Sequence, residues 1–165
     1  MDELYKYVAS LLEYDPQSGG FTWTNCKDVL TRLRGKPAGC TYLDGYVYIR
    51  HGGRRLLAHR IAWVKLHGAL PDSHIDHINM NRSDNRRDNL RLATLSENNR
   101  NRAKQSNNTS GYKGVTFHRS TGKYQAKICI NKRRISLGYF DDPSIASEAY
   151  QQAAKEHHGE FARHK

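Results

Sequence analysis

The sequence has few of the features that assign many chains of its size. Among 165 residues there are three cysteines, Cys26, Cys40 and Cys129. They are odd in number, widely spaced and form no CxxC, which argues against both a disulfide framework and a zinc knuckle. Thiols of that kind fit a reducing cytosol. No apolar run approaches the roughly eighteen residues that a membrane span needs, so no membrane partner is expected. The opening MDELYKYVASLLEY carries two acids early and lacks the basic-then-apolar order of a secretory signal. Acid is scarce as well: 16 Asp and Glu stand against 27 Lys and Arg, a net charge of +11. Such a surplus points to a polyanionic partner, and nucleic acid is the first candidate.

What is present suffices for a folded protein. Ten Tyr, four Phe and two Trp supply core-forming aromatics, so wholesale disorder is excluded even though hydrophobic residues reach only 37 %. The length suits one sizeable domain or two small ones. The patterning predicts an α+β fold in two parts. Leu4, Tyr7, Val8, Leu11 and Leu12 recur at helical spacing and open the chain with an amphipathic helix. A turn over 15–20 leads to a strand at Phe21-Thr22-Trp23. Tyr42 to Arg50 reads as a hairpin around Asp44-Gly45 that ends at Gly52-Gly53. Ala58, Ile61, Ala62 and Leu66 mark one face of a helix closed by Gly68.

Residues 74–104 hold the densest polar chemistry. A strand over 74–78 enters the loop NMNRSDNRRDN, and a second strand over 90–95 leaves it. Ser96 is placed to cap a helix ENNRNRAK, in which Asn98, Asn99 and Asn101 are poor interior residues. Lys104 to Gly111 has no apolar residue and reads as a linker over 105–111. Tyr112 to Phe140 reads as three strands, and Asp142-Pro143 starts a helix that ends near Gly159. Residues 111–140 carry seven Lys and Arg and no acid, whereas 141–165 carry three and five. One face of that sheet is therefore basic, with the helix on the other.

The strand, Asn-rich loop, strand and polar helix form a clasp able to gather a base, an orienting amide and oxygen ligands. Phosphodiester hydrolysis needs such a set. His77 is the residue whose pKa suits proton abstraction near neutrality. Asp76 is a hard oxygen ligand and an Asn carbonyl can be another, which favours one Mg²⁺ or Mn²⁺ ion over zinc. An Asn carbonyl accepting from Nδ1–H of the imidazole would leave Nε2 as the base. Turn-making is the alternative role for Asn85 and Asn89, and a buried structural role is expected for His59.

AHRIAW (58–63) followed by HGALPDSHIDHINMNRSDNRRDNLRLATLSENNRNR (67–102) resembles the HNH homing endonucleases of phages. The likeness is to their ββα-metal form with Asn in place of the last His. It implies a nuclease domain over 1–104 in which His77 is the general base and Asp76 the metal carboxylate. By the same likeness, Asn89 orients the base and Asn98 is the second metal ligand. Where the family often has a carboxylate, this chain has His74, whose role stays open. The resemblance implies hydrolysis of double-stranded DNA to a 5′-phosphate and a 3′-hydroxyl. It places the protein in the cytosol of a bacterial or phage-infected cell, with no obligate protein partner evident.

Residues 112–162 are similar to the AP2 DNA-binding domain, on Tyr112, Gly114, Val115, Gly122, Leu137-Gly138, Phe140, Ala149-Tyr150 and Gly159. That likeness implies a three-stranded antiparallel sheet on one helix over 112–165, its open face in the major groove. Alternation then turns Val115, Phe117, Tyr124, Ala126 and Ile128 toward the helix. It turns Thr116, His118, Gln125, Lys127, Arg134 and Ser136 toward DNA, while Lys113, Arg119, Lys123, Lys132 and Arg133 reach phosphates. Several Arg and Trp positions of the plant family differ here, so its preferred sequence is not carried over. Two other classes remain: a non-catalytic DNA-binding regulator, and an RNA-binding protein. Against the latter stands the expectation that the sheet's aromatics point inward.

Overall fold

A computed structural model of the chain describes residues 2–25, 27–100 and 108–162. Cys26, Asn101, the expected helix beyond Arg100 and positions 105–107 of the expected linker lie outside the described residues. Among the described residues the architecture is α+β, with helices and four small antiparallel sheets. The chain divides into two compact units, 1–95 and 96–165.

In the first unit, α1 (Asp2–Ser10) leads into the pair β1 (Leu12–Tyr14) and β2 (Phe21–Trp23). The buried face of α1 carries Tyr5, Val8 and Ala9, while Tyr7 is exposed. The expected stripe is thus rotated. Tyr5 turns inward, where its hydroxyl accepts from the Leu57 backbone N–H, and Tyr7 lies edge-on to the His51 ring. A three-stranded sheet follows, from β3 (Cys40–Thr41), β4 (Val47–His51) and β5 (Arg54–Leu57). Gly52-Gly53 does not end this hairpin. Both glycines have positive φ and form the tight turn from β4 into β5, a strand the sequence reading missed. Helix α2 (Ala58–His67) buries Ala58, His59, Ile61, Ala62 and Val64 against α1 and closes on left-handed Gly68. Val8, Leu12, Ile49 and Ile61 stand at the centre of this core.

The last sheet of this unit is the hairpin β6 (His74–His77) and β7 (Leu90–Ala93), with Asp76 opposite Arg91 and His77 opposite Leu90. Helix α3 (Leu95–Arg100) starts one residue ahead of Ser96, which is therefore helical rather than a cap.

In the second unit, β8 (Val115–His118), β9 (Lys123–Ile130) and β10 (Arg133–Phe140) form a sheet with β9 in the middle. Asn131 and Lys132, both at positive φ, turn β9 into β10. Helix α4 (Pro143–His158) is capped by the Asp142 carboxylate, which accepts from the Ser144 backbone N–H. Its Ala146, Tyr150, Ala153 and Ala154 are buried in the same clusters as Val115, Ala126 and Ile128 of the sheet. Gly114 has to be glycine, because a Cβ there would fall 2.1 Å from the Tyr150 ring. Phe117 departs from expectation. It is 41 % exposed, lying at the sheet margin with its ring 5.0 Å from that of Tyr124.

Candidate active site and DNA-facing sheet

The β6–β7 hairpin places Asp76 and His77 side by side, and both are buried. Arg91 meets Asp76 across the strands, with Nε and Nη2 donating to Oδ2 at 3.1 and 3.0 Å. His77 Nε2 lies 3.2 Å from Oδ1 of Asn85, which is only 2 % exposed. With the carbonyl accepting from Nε2–H, the other ring nitrogen, Nδ1, becomes the proton acceptor. This reverses the expected tautomer. Burial lowers the His77 pKa, against an upward pull from the Asn85 hydrogen bond and the nearby Asp76 charge.

Asn89 makes no hydrogen bond to the imidazole among the described residues. Its Oδ1 accepts from the Asn79 backbone N–H at 2.9 Å, and its Nδ2 donates to the Asp84 carbonyl at 2.7 Å. It ties the two ends of the loop together, the turn-making role weighed for it above, and Asn85 holds the position expected of it. Asp84 completes the loop. The Arg86 guanidinium clasps its carboxylate through two bonds, and Asn79 adds a third. Those partners hold the Asp84 pKa down to about 2.

The first β-turn of the chain braces the same loop. The Tyr14 hydroxyl donates to the Asn85 carbonyl at 2.7 Å, and the Arg87 backbone N–H donates to the Pro16 carbonyl at 3.0 Å. Burial raises the Tyr14 pKa to about 12, so the hydroxyl keeps its proton. Gly19 packs so closely that a Cβ would lie 2.6 Å from the backbone of Asn85 and Arg86. On the other side, His59 of α2 sets its ring edge-on to His77 at 5.1 Å, and Tyr46 lies 5.3 Å from His59. Arg82 covers the Tyr46 ring at 4.8 Å and donates to the Asp44 carbonyl. Burial pushes the His59 pKa down to about 3, so this ring is neutral.

Asn98 is half-buried on α3, in the second unit. His74 is exposed at the start of β6. Sequence reasoning missed Tyr14, Gly19, Tyr46, Arg82 and Arg91. Only the Asp76–Arg91 pairing had a readable signal, since the hairpin register sets those two positions opposite one another.

A family model for HNH endonucleases matches residues 56–100. Protein 3.8 of Escherichia phage T7 is 30 % identical over 106 residues, which is 64 % of this chain and 87 % of that protein. The chain belongs to the HNH endonuclease family. Over part of the chain, an AP2-like ethylene-responsive transcription factor, TOE2 of Arabidopsis thaliana, is 39 % identical over 51 residues. That match covers 31 % of this chain and 10 % of the plant protein. APETALA2-like protein 2 of Oryza sativa subsp. indica is 41 % identical over 46 residues, 28 % of this chain and 11 % of the rice protein. The chain thus spans about a tenth of the length of these plant relatives. No solved structure matches. No helix among the described residues is long and apolar enough to cross a membrane.

Outside the HNH region, the sheet register places Thr116, His118, Lys123, Gln125, Lys127, Arg134 and Ser136 on the face away from α4. Thr116, Lys127, Arg134 and Ser136 are exposed, as are Arg119, Lys132 and Arg133 at turns and strand ends. Lys113 is half-buried, and Lys123 pairs with Asp141 at 3.1 Å. Gln125 is the exception. It is 5 % exposed, and its Nε2 donates to Ser136 Oγ at 2.9 Å. A central-strand position flanked on both sides encloses a medium-length side chain even on an open face. The expectation that no aromatic faces outward also fails. Tyr139, opposite Gln125, lies on this face and is 48 % exposed.

Proposed function

We propose that this HNH protein is a divalent-metal-dependent, sequence-recognising DNA endonuclease of the homing type, with a nuclease part and an AP2-like reading part. The observation that carries the nuclease reading is the buried His77, oriented by Asn85 and adjacent to Asp76. Asn85 fixes the imidazole so that Nδ1 accepts a proton from the attacking water. Burial keeps the ring neutral and ready to do so. Tyr14 and Gly19 hold the Asn85 backbone, and Asn89 holds the loop, so the imidazole is positioned before DNA arrives.

The proposed metal donors are Asp76 and Asn98. One carboxylate and one amide carbonyl, both hard oxygens, fit Mg²⁺ or Mn²⁺, which retain several waters and bind through few protein groups. Such an ion supplies charge stabilisation for the leaving 3′ oxygen. Arg91 holds Asp76 in place and balances its buried charge. The products are a 5′-phosphate and a 3′-hydroxyl. Double-stranded DNA is favoured over RNA by the resemblance of residues 112–162 to the AP2 DNA-binding domain, together with the matches to AP2-like transcription factors over part of the chain.

Incubation of supercoiled plasmid with the protein tests this reading. Nicked or linear DNA should form with Mg²⁺ or Mn²⁺, and neither with EDTA nor with His77→Ala. Cleavage by His77→Ala at more than about a tenth of the wild-type rate would remove His77 from the mechanism, since a general base is worth roughly 10²–10⁴-fold. A wild-type protein that binds DNA and never cuts it would leave the regulator reading.

A further inference from the structure

Tyr139 and His118 stand on opposite edge strands of the second unit's sheet, with β9 between them. Two strand spacings separate their backbones by about 10 Å. Their ring centroids are nonetheless 5.6 Å apart, edge to face. The pair therefore reaches across the central strand, over the line between Lys123, which is His118's partner, and Gln125, which is Tyr139's. Gln125, directly opposite Tyr139 on the same face, is itself buried. The Gln125 Oε1 atom is buried and has no hydrogen-bond partner among the described residues. An enclosed amide carbonyl without a donor is costly, and native structures rarely leave one so. The cover is held by no hydrogen bond of the Tyr139 hydroxyl among the described residues, and its ring packs edge-on against His118.

We propose that Gln125 is a specificity-determining residue held in reserve beneath the Tyr139–His118 pair. When the sheet docks on duplex DNA, Tyr139 turns aside and the Gln125 amide meets an adenine in the major groove. The inference rests on the DNA-facing role proposed above for this sheet. Its occupant is set by charge: residues 111–140 carry seven Lys and Arg and no acid. The base is set by the amide. With one N–H on Ser136, Gln125 retains a second N–H and an unmatched carbonyl. That donor–acceptor pair fits adenine N7 and N6–H₂. A guanine would present two acceptors to it and leave the carbonyl unmatched. Adenine alone matches both groups of the amide at once, since cytosine N4–H₂ meets only the carbonyl and guanine meets only the N–H.

The test is selection of bound duplexes from a random pool by the full chain in EDTA, followed by affinity measurement on the selected duplex. The wild type should select adenine at one position that Gln125→Ala leaves unselected, with other positions unchanged. Replacing that adenine by 7-deazaadenine should weaken wild-type binding about tenfold and leave Gln125→Ala binding unaltered. This arm needs no change in the protein, so it stands even where a variant folds poorly. Tyr139→Ala should bind the selected duplex as tightly as the wild type or more so. A preference that survives Gln125→Ala, indifference to 7-deazaadenine at every selected adenine, or a Tyr139→Ala protein weakened as much as Gln125→Ala overturns the proposal. A wild type that selects no sequence overturns the reading of the sheet face too, which separates the two failures.

Discussion

Asp76 and Arg91 face each other across the β6–β7 hairpin, with both guanidinium donors converging on a single carboxylate oxygen. Both side chains are nearly enclosed, at 7 % and 11 % exposure. A carboxylate this enclosed needs a counter-charge, and the opposite strand supplies one. Arg91→Ala removes that charge and leaves the anion enclosed. It should lower stability on the order of 3 kcal/mol in urea unfolding. Arg91→Met combined with Asp76→Asn should recover most of that stability while remaining inactive. If the single variant unfolds like the wild type, Asp76 does not depend on Arg91.

Asn85 and Asn89 should separate by the kind of damage they cause. Asn85→Ala removes the acceptor from Nε2–H of His77, so cleavage should fall by about one to two orders of magnitude with DNA affinity kept. Asn85→Asp puts an anion there instead. It favours the imidazolium, raises the His77 pKa, and should move the rising limb of the cleavage-rate profile to higher pH. Asn89→Ala should act through the loop, costing about 1–3 kcal/mol of stability. Rate profiles and unfolding curves for the three proteins decide this.

Gly19 is remote from His77 in sequence and adjacent to its support in space. Its φ is +73°, and an added Cβ would collide with backbone, which cannot swing away. Gly19→Ala should therefore displace the Asn85 segment and reduce cleavage at least tenfold, with binding by the AP2-like part intact. Full activity in this variant would show that the 15–20 turn does not set the imidazole.

The contrast between Asp76-His77 and Gly19 shows what the sequence made legible. The hairpin strands and the adjacency of Asp76 and His77 on one of them could be read because hydrophobic alternation and an Asn-rich loop are local signals. The same holds for the Asn131-Lys132 turn and the Asp142 cap. Tyr14 and Gly19 could not be read, because their roles arise from contacts with residues some seventy positions away. The exchange of Asn85 for Asn89 has a similar cause. Both amides lie in one loop, and only its folded path decides which one meets the ring. Gln125 was assigned to the correct face, but alternation carries no information on whether it is enclosed there.

His59 gives the fold a dependence on pH. Its folded pKa, about 3, lies below its ordinary 6.5 because burial disfavours the charged ring. Between those values the unfolded chain binds a proton that the folded chain does not. Stability therefore falls as pH drops below about 6.5, by up to about 1.4 kcal/mol per pH unit for this group. His59→Leu removes that proton uptake. The stability difference between the two proteins, taken from denaturant midpoints at pH 7, 6, 5 and 4.5, should shift steadily in favour of the variant. A constant difference would place a charged or solvated His59 in the folded protein.

The last prediction concerns how the second unit divides its cations. Lys132 sits at the tip of the β9–β10 turn, at φ +64°, and its side chain is exposed. Lys127 stands on the open face in the central strand, and Arg134 points from the same face of edge strand β10. A charge at the rim of a docked sheet meets phosphates, whereas one in the face meets base edges. Each phosphate contact adds roughly −0.9 to the slope of log K against log salt concentration. Lys132→Ala should thus make the slope shallower by about one unit and weaken cognate and scrambled duplexes alike. Lys127→Ala or Arg134→Ala should weaken the cognate duplex more than the scrambled one, narrowing the ratio by about tenfold for a base contact. Salt titrations on both duplexes with the full chain in EDTA read these effects directly. If all three variants lower the slope and leave the ratio alone, the sheet face holds DNA without reading it, and selectivity resides in the nuclease part.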